Sequence, residues 1–380
     1  MKICYFGTYR AEYSRNQIML EGLRRAGVEV IECHAPLWTS IEDRVQAASG
    51  GWLRWGFIKR VLKTYITLLK RYRTIGDYDV LVVGYPGQFD VYLARLLAWL
   101  RRKPLVWDVF MSIYLIALER NLDRHSSLTI QALRLIERWA CHLPERLILD
   151  TTEYVAWFQQ THGIQPDRFR LVPTGADDRV YRKVAADRSD ARFTAIYYGT
   201  FIRNHGVPVI IEAAHELAQD TSIHFVLIGD GPEKAAAVQL AQQYQLTNVT
   251  FVDWVAREAL PGLVANADVC LGVFGTTPQS LMTVQNKIYE ALAMRRPLIT
   301  GDAPTVRAAL THGEHVYLCE RDNPHALAEA LRVLQRDPAL RERLAAQGQA
   351  RFKTAFTTQK LGEMMHAHLR AVVASQSNRQ

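Results

Sequence analysis

A lysine and a glutamate stand one helical turn apart in the segment 286–302, which reads NKIYEALAMRRPLITGD. Ile288, Ala291 and Leu292 have the spacing of a buried helical stripe, and the helix begins beside Lys287. A helix N-terminus carries unpaired N–H groups and partial positive charge, so a lysine there suits a diphosphate. Glu290 offers two acceptor oxygens that suit the neighbouring hydroxyls of a ribose. The pattern predicts a nucleotide-sugar site, with a solvated Lys–Glu pair on an ordinary amphipathic helix as the alternative.

The composition describes a large basic chain of about two domains. It has 380 residues, of which 49% are hydrophobic and 22% charged, and its net charge is +8. Five scattered cysteines without a CxxC or Cys/His cluster argue against a disulfide framework and a metal site, and we expect no cofactor. The start lacks a basic-then-apolar leader, which predicts a cytoplasmic protein, with contact to the inner face of the cell membrane left open. The charge favours anionic partners, and by itself it does not choose among phosphorylated small molecules, acidic lipid and nucleic acid.

Apolar runs alternate with helix-patterned segments through both halves of the chain. This order predicts parallel sheets that are covered by helices on both faces. A polar segment between residues 173 and 192 is the candidate linker between the two halves. The predicted strands are 3–8, 28–33, 80–85, 105–110, 147–151 and 169–173 in the first half, and 194–199, 224–231, 249–254, 269–274, 298–301 and 316–319 in the second.

Ligands bind at the carboxyl ends of strands in such sheets, so the residues there are the candidates for chemistry. Gly7 ends the first strand and would let a ligand approach the backbone, although it could also only make a turn. Asp108 ends a central strand and could act as an acid or base, accept from a sugar hydroxyl, or cap a helix. Arg203 and His205 follow a strand of the second half and suit a diphosphate. Neither half contains a GxGxxG or a GxxxxGK[ST] loop, which argues against dinucleotide and ATP-hydrolase sites.

The stretch 52–73 combines seven basic residues with no acid and carries tryptophan and other apolar side chains. This makeup is typical of a helix that lies in the interface of an anionic membrane. A surface helix that packs on the sheet and keeps a solvated basic face is the alternative. Nucleic acid is not expected as a partner, because the basic charge is concentrated here and no stacking motif accompanies it.

With these residues in view, the chain resembles the retaining nucleotide-sugar glycosyltransferases of family four, also called glycosyl transferases group 1. The resemblance runs over nearly the whole length and lies in the order and spacing of several motifs. They are LVPTGAD at 171–177, YGT at 198–200 with HGV at 205–207, VLIGDGP at 226–232, VTFVDW at 249–254, ADV at 267–269, and the segment 286–302.

The resemblance implies an α/β protein of the GT-B fold, with two Rossmann-like doubly wound domains and a cleft between them. Residues 1–175 would bind the acceptor, 176–352 the sugar nucleotide, and 353–380 would contain a helix that crosses back to the first domain. The donor would be a UDP- or GDP-linked sugar, with its base near Asp253 and Trp254, its ribose on Glu290, and its diphosphate near Arg203 and Lys287. The catalytic candidates are Asp108, Arg203 and Lys287. The donor-binding candidates are Gly7, Gly199, Thr200, His205, Gly229, Asp230, Gly231, Asp253, Trp254, Thr276, Thr277, Asn286, Lys287 and Glu290.

The sequence departs from the family pattern at three places. Met282 stands where the first of two glutamates is usual, His205 or Arg203 replaces a lysine, and Asp108 replaces a histidine. The leading interpretation is a retaining, metal-independent transfer of a hexose to an alcohol on a glycan, a polysaccharide intermediate or a lipid-linked acceptor. Two alternatives stay open: a UDP-sugar epimerase of the same fold, and a degenerate protein that binds sugar nucleotide without turnover.

Overall fold

The computed structural model describes residues 1–37, 55–120, 122, 127–188 and 191–377. Its chain divides into two compact units. The first comprises Met1–Pro173 together with Thr358–Gln380, and the second comprises Thr174–Thr357. Residues 52–54 of the predicted basic stretch lie outside the described part.

The first unit contains a six-stranded parallel sheet with the order β2-β1-β3-β4-β5-β6. Its central strands are mostly apolar because helices cover both faces; every residue of the third strand is apolar and buried. The chain runs from β1 to β2 on one side of β1, and it then returns to place β3 on the other side of β1. The strand order therefore reverses between β1 and β3, which is the switch point of this sheet. The strands are β1 (Lys2–Gly7), β2 (Glu29–His34), β3 (Val80–Val83), β4 (Leu105–Asp108), β5 (Arg146–Leu149) and β6 (Phe169–Leu171).

Seven helices of the described part belong to this unit. The first and the last pack together so closely that a Cβ on Gly22 would lie 2.6 Å from the backbone oxygen of Thr358. Side-chain caps begin two of them, from Ser112 and Thr151. The helices are α1 (Ser14–Arg25), α2 (Trp55–Thr74), α3 (Asp90–Leu100), α4 (Ile113–Glu119), α5 (Ser127–His142), α6 (Thr152–His162) and α15 (Thr358–Ser377).

The second unit contains another six-stranded parallel sheet, with the order β12-β11-β10-β7-β8-β9. Here the strand order reverses between β7 and β10, which is where ligands bind in open α/β sheets. The strands are β7 (Phe193–Tyr198), β8 (Ile223–Ile228), β9 (Val249–Val252), β10 (Val269–Leu271), β11 (Leu298–Gly301) and β12 (Tyr317–Cys319). The helices are α7 (Val207–Glu216), α8 (Lys234–Gln243), α9 (Leu260–Ala265), α10 (Pro278–Met282), α11 (Asn286–Ala293), α12 (Pro304–Ala309), α13 (Pro324–Arg336) and α14 (Pro338–Ala355).

The predicted fold class is confirmed, since each half of the chain forms a doubly wound α/β unit. The two strand orders differ, so the halves are similar in class without repeating one topology. All five cysteines are buried with free thiols. Among the described helices, none is both long and apolar enough to cross a bilayer.

Candidate functional site

Helix α11 brings the predicted lysine and glutamate into the interior of the second unit. Every residue from Lys287 to Ala293 is buried, including the predicted stripe. The helix ends where Arg295 takes a positive φ of 56°, with its N–H bonded to the carbonyl of Leu292. Lys287 and Glu290 are each only 6% exposed, so the alternative of a solvated ion pair is wrong.

The Lys287 ammonium lies at the end of β7, at the switch point of the sheet. Its Nζ is 3.9 Å from the centre of the Tyr197 ring and 3.3 Å from Nδ1 of His205. Burial lowers the pKa of Lys287 to about 7, and the nearby Glu290 only partly opposes this effect. An anionic ligand here would restore the charge of the ammonium.

His205 is neutral in this setting. Its Nδ1 lies 2.6 Å from the Thr200 carbonyl oxygen, which can only accept, so this contact assigns the hydrogen to Nδ1. The Tyr197 hydroxyl donates to the same carbonyl. Burial and the charge of Lys287 hold the pKa of His205 well below its usual value. A neutral His205 brings no positive charge to a diphosphate and offers Nε2 as an acceptor, so its place in the donor site stays a prediction.

Glu290 faces a different set of partners from Lys287. Burial raises its pKa to about 7, although Arg257, Lys287 and a hydrogen bond from Tyr181 all act in the other direction. Arg257 lies over the Tyr181 ring at 5.4 Å, so these two side chains form one wall beside the carboxylate. The carboxylate is thus an acceptor whose protonation changes near neutral pH.

The loop after β7 leaves no space for side chains around the ammonium. Gly199 has a φ of 137°, and a Cβ there would lie 3.0 Å from the Lys287 Nζ. Gly229 has a φ of 135°, and a Cβ there would lie 2.0 Å from the Gly199 carbonyl oxygen. Gly231 packs in the same manner against the backbone of Phe201. Gly229 and Gly231 therefore allow two loops to pack together. Of these three glycines, Gly199 is the one that borders the Lys287 ammonium.

Three polar atoms at the beginning of α11 are buried without a hydrogen-bond partner within the described part of the chain. They are Thr283 Oγ1, Gln285 Oε1 and Asn286 Nδ2. Buried polar groups are nearly always paired, and each unpaired one costs about 1–3 kcal/mol. Their position beside the N-terminus of α11 gives a polar ligand a set of ready partners.

The remaining donor candidates lie in loops at the same edge of the sheet. Asp253 and Trp254 follow the edge strand β9; the Asp253 side chain is 99% exposed and pairs with Lys234 at 2.6 Å. Arg203 is exposed. Its charge acts on Glu233, where burial raises the pKa more than Arg203 lowers it.

The polar loop candidates mostly support their own backbone. Asp230 accepts from the Gly231 N–H at 2.7 Å. Thr277 caps α10 by accepting from Ser280 N, whereas Thr276 is exposed. The Thr200 carbonyl orients His205, and the donor-binding role of the Thr200 side chain stays a prediction.

Sequence reasoning missed the residues that hold the site in place. Tyr197, Tyr181 and Arg257 surround the lysine and glutamate from other elements. Arg321 donates through Nη1 to the Gly275 carbonyl at 2.7 Å and the Ser280 hydroxyl at 2.9 Å, and it is buried with its pKa lowered to about 10 by burial. These hydrogen bonds connect the end of β12 to the loop after β10. The sequence signal for them was an arginine directly after a predicted strand.

The end of β1 in the first unit is occupied by protein groups. A Cβ on Gly7 would lie 2.6 Å from Asp90 Oδ2, and that carboxylate accepts from the Thr8 N–H at 2.7 Å and from the Tyr65 hydroxyl at 2.8 Å. Burial raises the pKa of Asp90 despite these bonds. The close approach that Gly7 allows is made by Asp90, so its assignment to donor binding gains no support here.

Asp108 lies in a closed ion pair. Its two oxygens accept from Nε and Nη2 of Arg15 at 2.8 and 2.9 Å, and neither side chain is exposed. Arg15 also donates to the carbonyls of Val172 and Pro173. Ser112, not Asp108, caps the following helix. The prediction of a direct catalytic role for Asp108 conflicts with this geometry, because both oxygens are engaged and buried.

Within the described residues, no group of three or more His, Cys, Asp or Glu side chains could hold a metal ion. The polar groups at the switch point of the second unit are instead a lysine, a carboxylate, a neutral histidine and the N–H groups of α11. Together they fit an anion that also carries hydroxyls.

Comparison with known proteins links this geometry to a family. Residues 192–337 match the family model described as "Glycosyl transferases group 1". Alpha-D-kanosaminyltransferase of Streptomyces kanamyceticus is 30% identical over 158 residues, or 41% of this chain and 40% of that relative. The lipopolysaccharide core biosynthesis glycosyltransferase LpsD of Rhizobium meliloti (strain 1021) is 28% identical over 166 residues, or 43% and 46%. The matches thus span less than half of the length of these relatives.

Solved structures match over nearly the whole chain. HepE (Alr3699) of Anabaena, crystallised in complex with UDP, has a TM-score of 0.71 at 15% identity and covers 98% of this chain and 100% of its own. The sucrose-phosphate synthase of Thermosynechococcus elongatus has a TM-score of 0.70 at 17% identity, with 98% and 99% covered. Identities this low show the fold alone, which is the GT-B fold.

Proposed function

We propose that this chain, whose residues 192–337 match the family model of the group 1 glycosyltransferases, transfers a sugar from a nucleoside diphosphate sugar to an alcohol acceptor. The observation that carries the proposal is the buried ammonium of Lys287 between Gly199 and His205, at the switch point of the second sheet. Within the described residues, Lys287 has no acidic partner in salt-bridge contact, and a buried lysine in that state at the beginning of a helix is costly in a purely structural role. It is suited to a ligand that brings its own negative charge.

The donor binds the second unit through distinct groups. Lys287 and the N-terminus of α11 meet the diphosphate, with Asn286 Nδ2 as a further donor. Glu290 accepts from the ribose hydroxyls, and the base extends toward Asp253 and Trp254. UDP is the first nucleotide to test, because the Anabaena structure was crystallised with it; GDP is the second.

The reaction needs little proton chemistry from the protein. The acceptor oxygen forms the new bond to the anomeric carbon, the bond to the diphosphate breaks, and the hydroxyl proton passes to the departing phosphate oxygen. Negative charge grows on that oxygen, so a lysine and helix N–H groups that are already in position stabilise the transition state. We propose retention at the anomeric carbon and independence from metal, as the family resemblance implies.

The acceptor belongs to the first unit in this proposal. A glycan, a polysaccharide intermediate or a lipid-linked sugar is the proposed class. The name of LpsD supports it, as does that of the capsular polysaccharide biosynthesis glycosyltransferase CapM of Staphylococcus aureus, which is 23% identical over 214 residues. The basic stretch 52–73 is the proposed contact to an anionic membrane on the cytoplasmic side, which suits a lipid-linked acceptor. Arg203 is proposed to reach the diphosphate from its exposed position.

Thermal shift with nucleotides tests donor binding. A ligand at about 100 times its dissociation constant should stabilise the protein by about 2.7 kcal/mol. Lys287→Ala should abolish most of the shift with UDP or GDP, whereas Lys353→Ala, at an exposed lysine of α14, should keep it. The absence of any nucleotide-dependent shift in the wild-type protein would contradict the proposal.

A comparison of Glu290→Gln with Lys287→Ala assigns the parts of the donor. Glu290→Gln should weaken nucleoside monophosphate and diphosphate alike by about ten- to a hundredfold, because a hydrogen bond to a charged acceptor contributes about 1.5–3 kcal/mol. Lys287→Ala should spare the monophosphate by comparison. Release of nucleoside diphosphate that depends on an acceptor supports the transferase. Binding without release indicates a degenerate protein, and release without acceptor, with a free sugar product, indicates an epimerase.

A further inference from the structure

Large apolar side chains are exposed mainly on one set of helices in the first unit. Among the described residues, fourteen such side chains are substantially exposed, and eleven of them belong to α2, to α3 with the residue before it, or to α5. They include two tryptophans that are each 64% exposed. The eleven are Leu62, Ile66, Leu69, Phe89, Tyr92, Leu96, Trp99, Leu100, Leu128, Leu135 and Trp139.

These helices lie side by side on the same face of the first sheet. Each connects two parallel strands and steps across the order β2-β1-β3-β4-β5 in the same direction, so right-handed connections place all three on one side. The Tyr72 hydroxyl of α2 donates to the Leu97 carbonyl of α3 at 3.3 Å. The Tyr92 hydroxyl of α3 donates to the Ile136 carbonyl of α5 at 2.7 Å. The eleven side chains are therefore members of one continuous surface, which we name the three-helix face.

The charges of the three-helix face have a single sign. The sequences of α2, α3 and α5 contain only two acids, Asp90 and Glu137, and both are buried. Flanking acids after these helices are engaged with basic residues, Asp77 with Lys103 and Glu145 with Arg95. The basic residues of the three helices are Lys59, Arg60, Lys63, Lys70, Arg71, Arg73, Arg95, Arg134 and Arg138.

We propose that the three-helix face docks on the surface of an anionic lipid bilayer, with Trp99 and Trp139 at the level of the headgroups. Exposed tryptophan and leucine among basic side chains, with no exposed acid on the three helices themselves, is the makeup of surfaces that lie in a membrane interface. The sequence pointed only to the stretch 52–73. The addition of α3 and α5 makes the contact a broad face of the folded unit, and it does not depend on donor binding.

Charge complementarity favours lipid over a second copy of the chain. A two-fold dimer through this face would bring the same basic surface against itself. Like charges in contact oppose association, whereas anionic headgroups neutralise them. An anionic bilayer satisfies both the apolar side chains and the basic side chains at once.

Vesicle sedimentation of the full chain without nucleotide tests the proposal. The wild-type protein should bind vesicles of phosphatidylcholine with phosphatidylglycerol, should bind pure phosphatidylcholine far more weakly, and should be released by salt. The double variant Trp99→Ser/Trp139→Ser should lose at least about tenfold in affinity for the anionic vesicles. Lys63→Glu/Lys70→Glu should also weaken binding about tenfold or more. Trp254→Ser, at a tryptophan 66% exposed in the second unit, is the matched control and should bind as the wild type does.

Unchanged melting temperatures of the variants would show that lost binding comes from the surface and not from unfolding. Equal binding to both kinds of vesicle, or no loss in the tryptophan variant, would overturn the proposal. A concentration-dependent dimer in light scattering that the tryptophan variant converts to monomer would assign the face to a second copy, and would overturn it as well. Because nucleotide is absent, none of these results depends on the proposed transferase activity.

Discussion

The affinity for a nucleotide sugar should fall as pH rises above about 7, because Lys287 must regain a proton to bind the diphosphate. Burial lowers the pKa of this ammonium to about 7 in the free protein. One pH unit higher, about nine-tenths of the free protein carries a neutral lysine. Two phosphates at the ammonium favour its charged form and raise the pKa again in the complex.

The sign and size of the effect follow from linkage. The pKa of Lys287 is lower in the free protein than in the complex, so above about pH 7 the complex binds more protons, and binding weakens with rising pH. If the bound pKa returns to its ordinary value of about 10.5, the affinity falls about tenfold for each pH unit between about 7 and 10. For the same reason, the unliganded protein gains stability from this residue as pH rises over that range.

Calorimetry in two buffers with different ionisation enthalpies measures the proton uptake directly. At about pH 8 we expect about 0.9 proton taken up for each nucleotide sugar bound. A nucleotide sugar is preferable to a nucleoside diphosphate, because its diphosphate has no second ionisation near neutral pH. Lys287→Arg keeps the positive charge and should remove most of the pH dependence. An uptake near zero with wild-type affinity unchanged from about pH 7 to 9 would refute the reasoning.

Three other perturbations have signs set by the structure. Glu290→Gln should raise the melting temperature at about pH 8 while weakening nucleotide binding, because the pKa raised to about 7 means that the buried carboxylate costs stability above that pH. Asp108→Asn should lower the free energy of unfolding in urea by about 3–5 kcal/mol, because it leaves the buried charge of Arg15 without its partner. Gly206→Ala should lower the melting temperature and weaken nucleotide binding, because Gly206 has a φ of +66° and a Cβ there would lie 2.5 Å from the backbone nitrogen of Gly275. Gly262→Ala, where a Cβ meets open space, is the control.

The sequence allowed the strands and the buried helix of the second unit to be predicted, because both depend on local patterns. Twelve apolar runs became twelve strands of two parallel sheets. The stripe of Ile288, Ala291 and Leu292 became the buried side of α11. Both features follow from the spacing of apolar residues along the chain, which neighbouring residues are enough to reveal.

The environment of each site residue could not be predicted in this manner. Asp108 pairs with Arg15, 93 positions earlier in the chain, and the spacing of residues near Asp108 carries no trace of that partner. His205 was predicted only as a residue that suits a diphosphate, and its protonation depends on Lys287 and on burial, which only the assembled sheet provides. Gly229 looked like a ligand-binding glycine, although the backbone of Gly199 is what approaches it.

The lysine and the glutamate of α11 are held where their charged forms are disfavoured, and this is the strongest physical reason to place a ligand there. Burial shifts the pKa of Lys287 downward and that of Glu290 upward, so both lie near 7. A fold selected only for stability would replace such groups with apolar side chains of similar size. The Arg15–Asp108 pair is different, because each partner satisfies the other with two hydrogen bonds. Arg15 and Asp108 thus form a charge pair that is complete within the core, whereas Lys287 and Glu290 are charges that need a ligand. Strongly shifted pKa values like those of Lys287 and Glu290 are concentrated at functional sites.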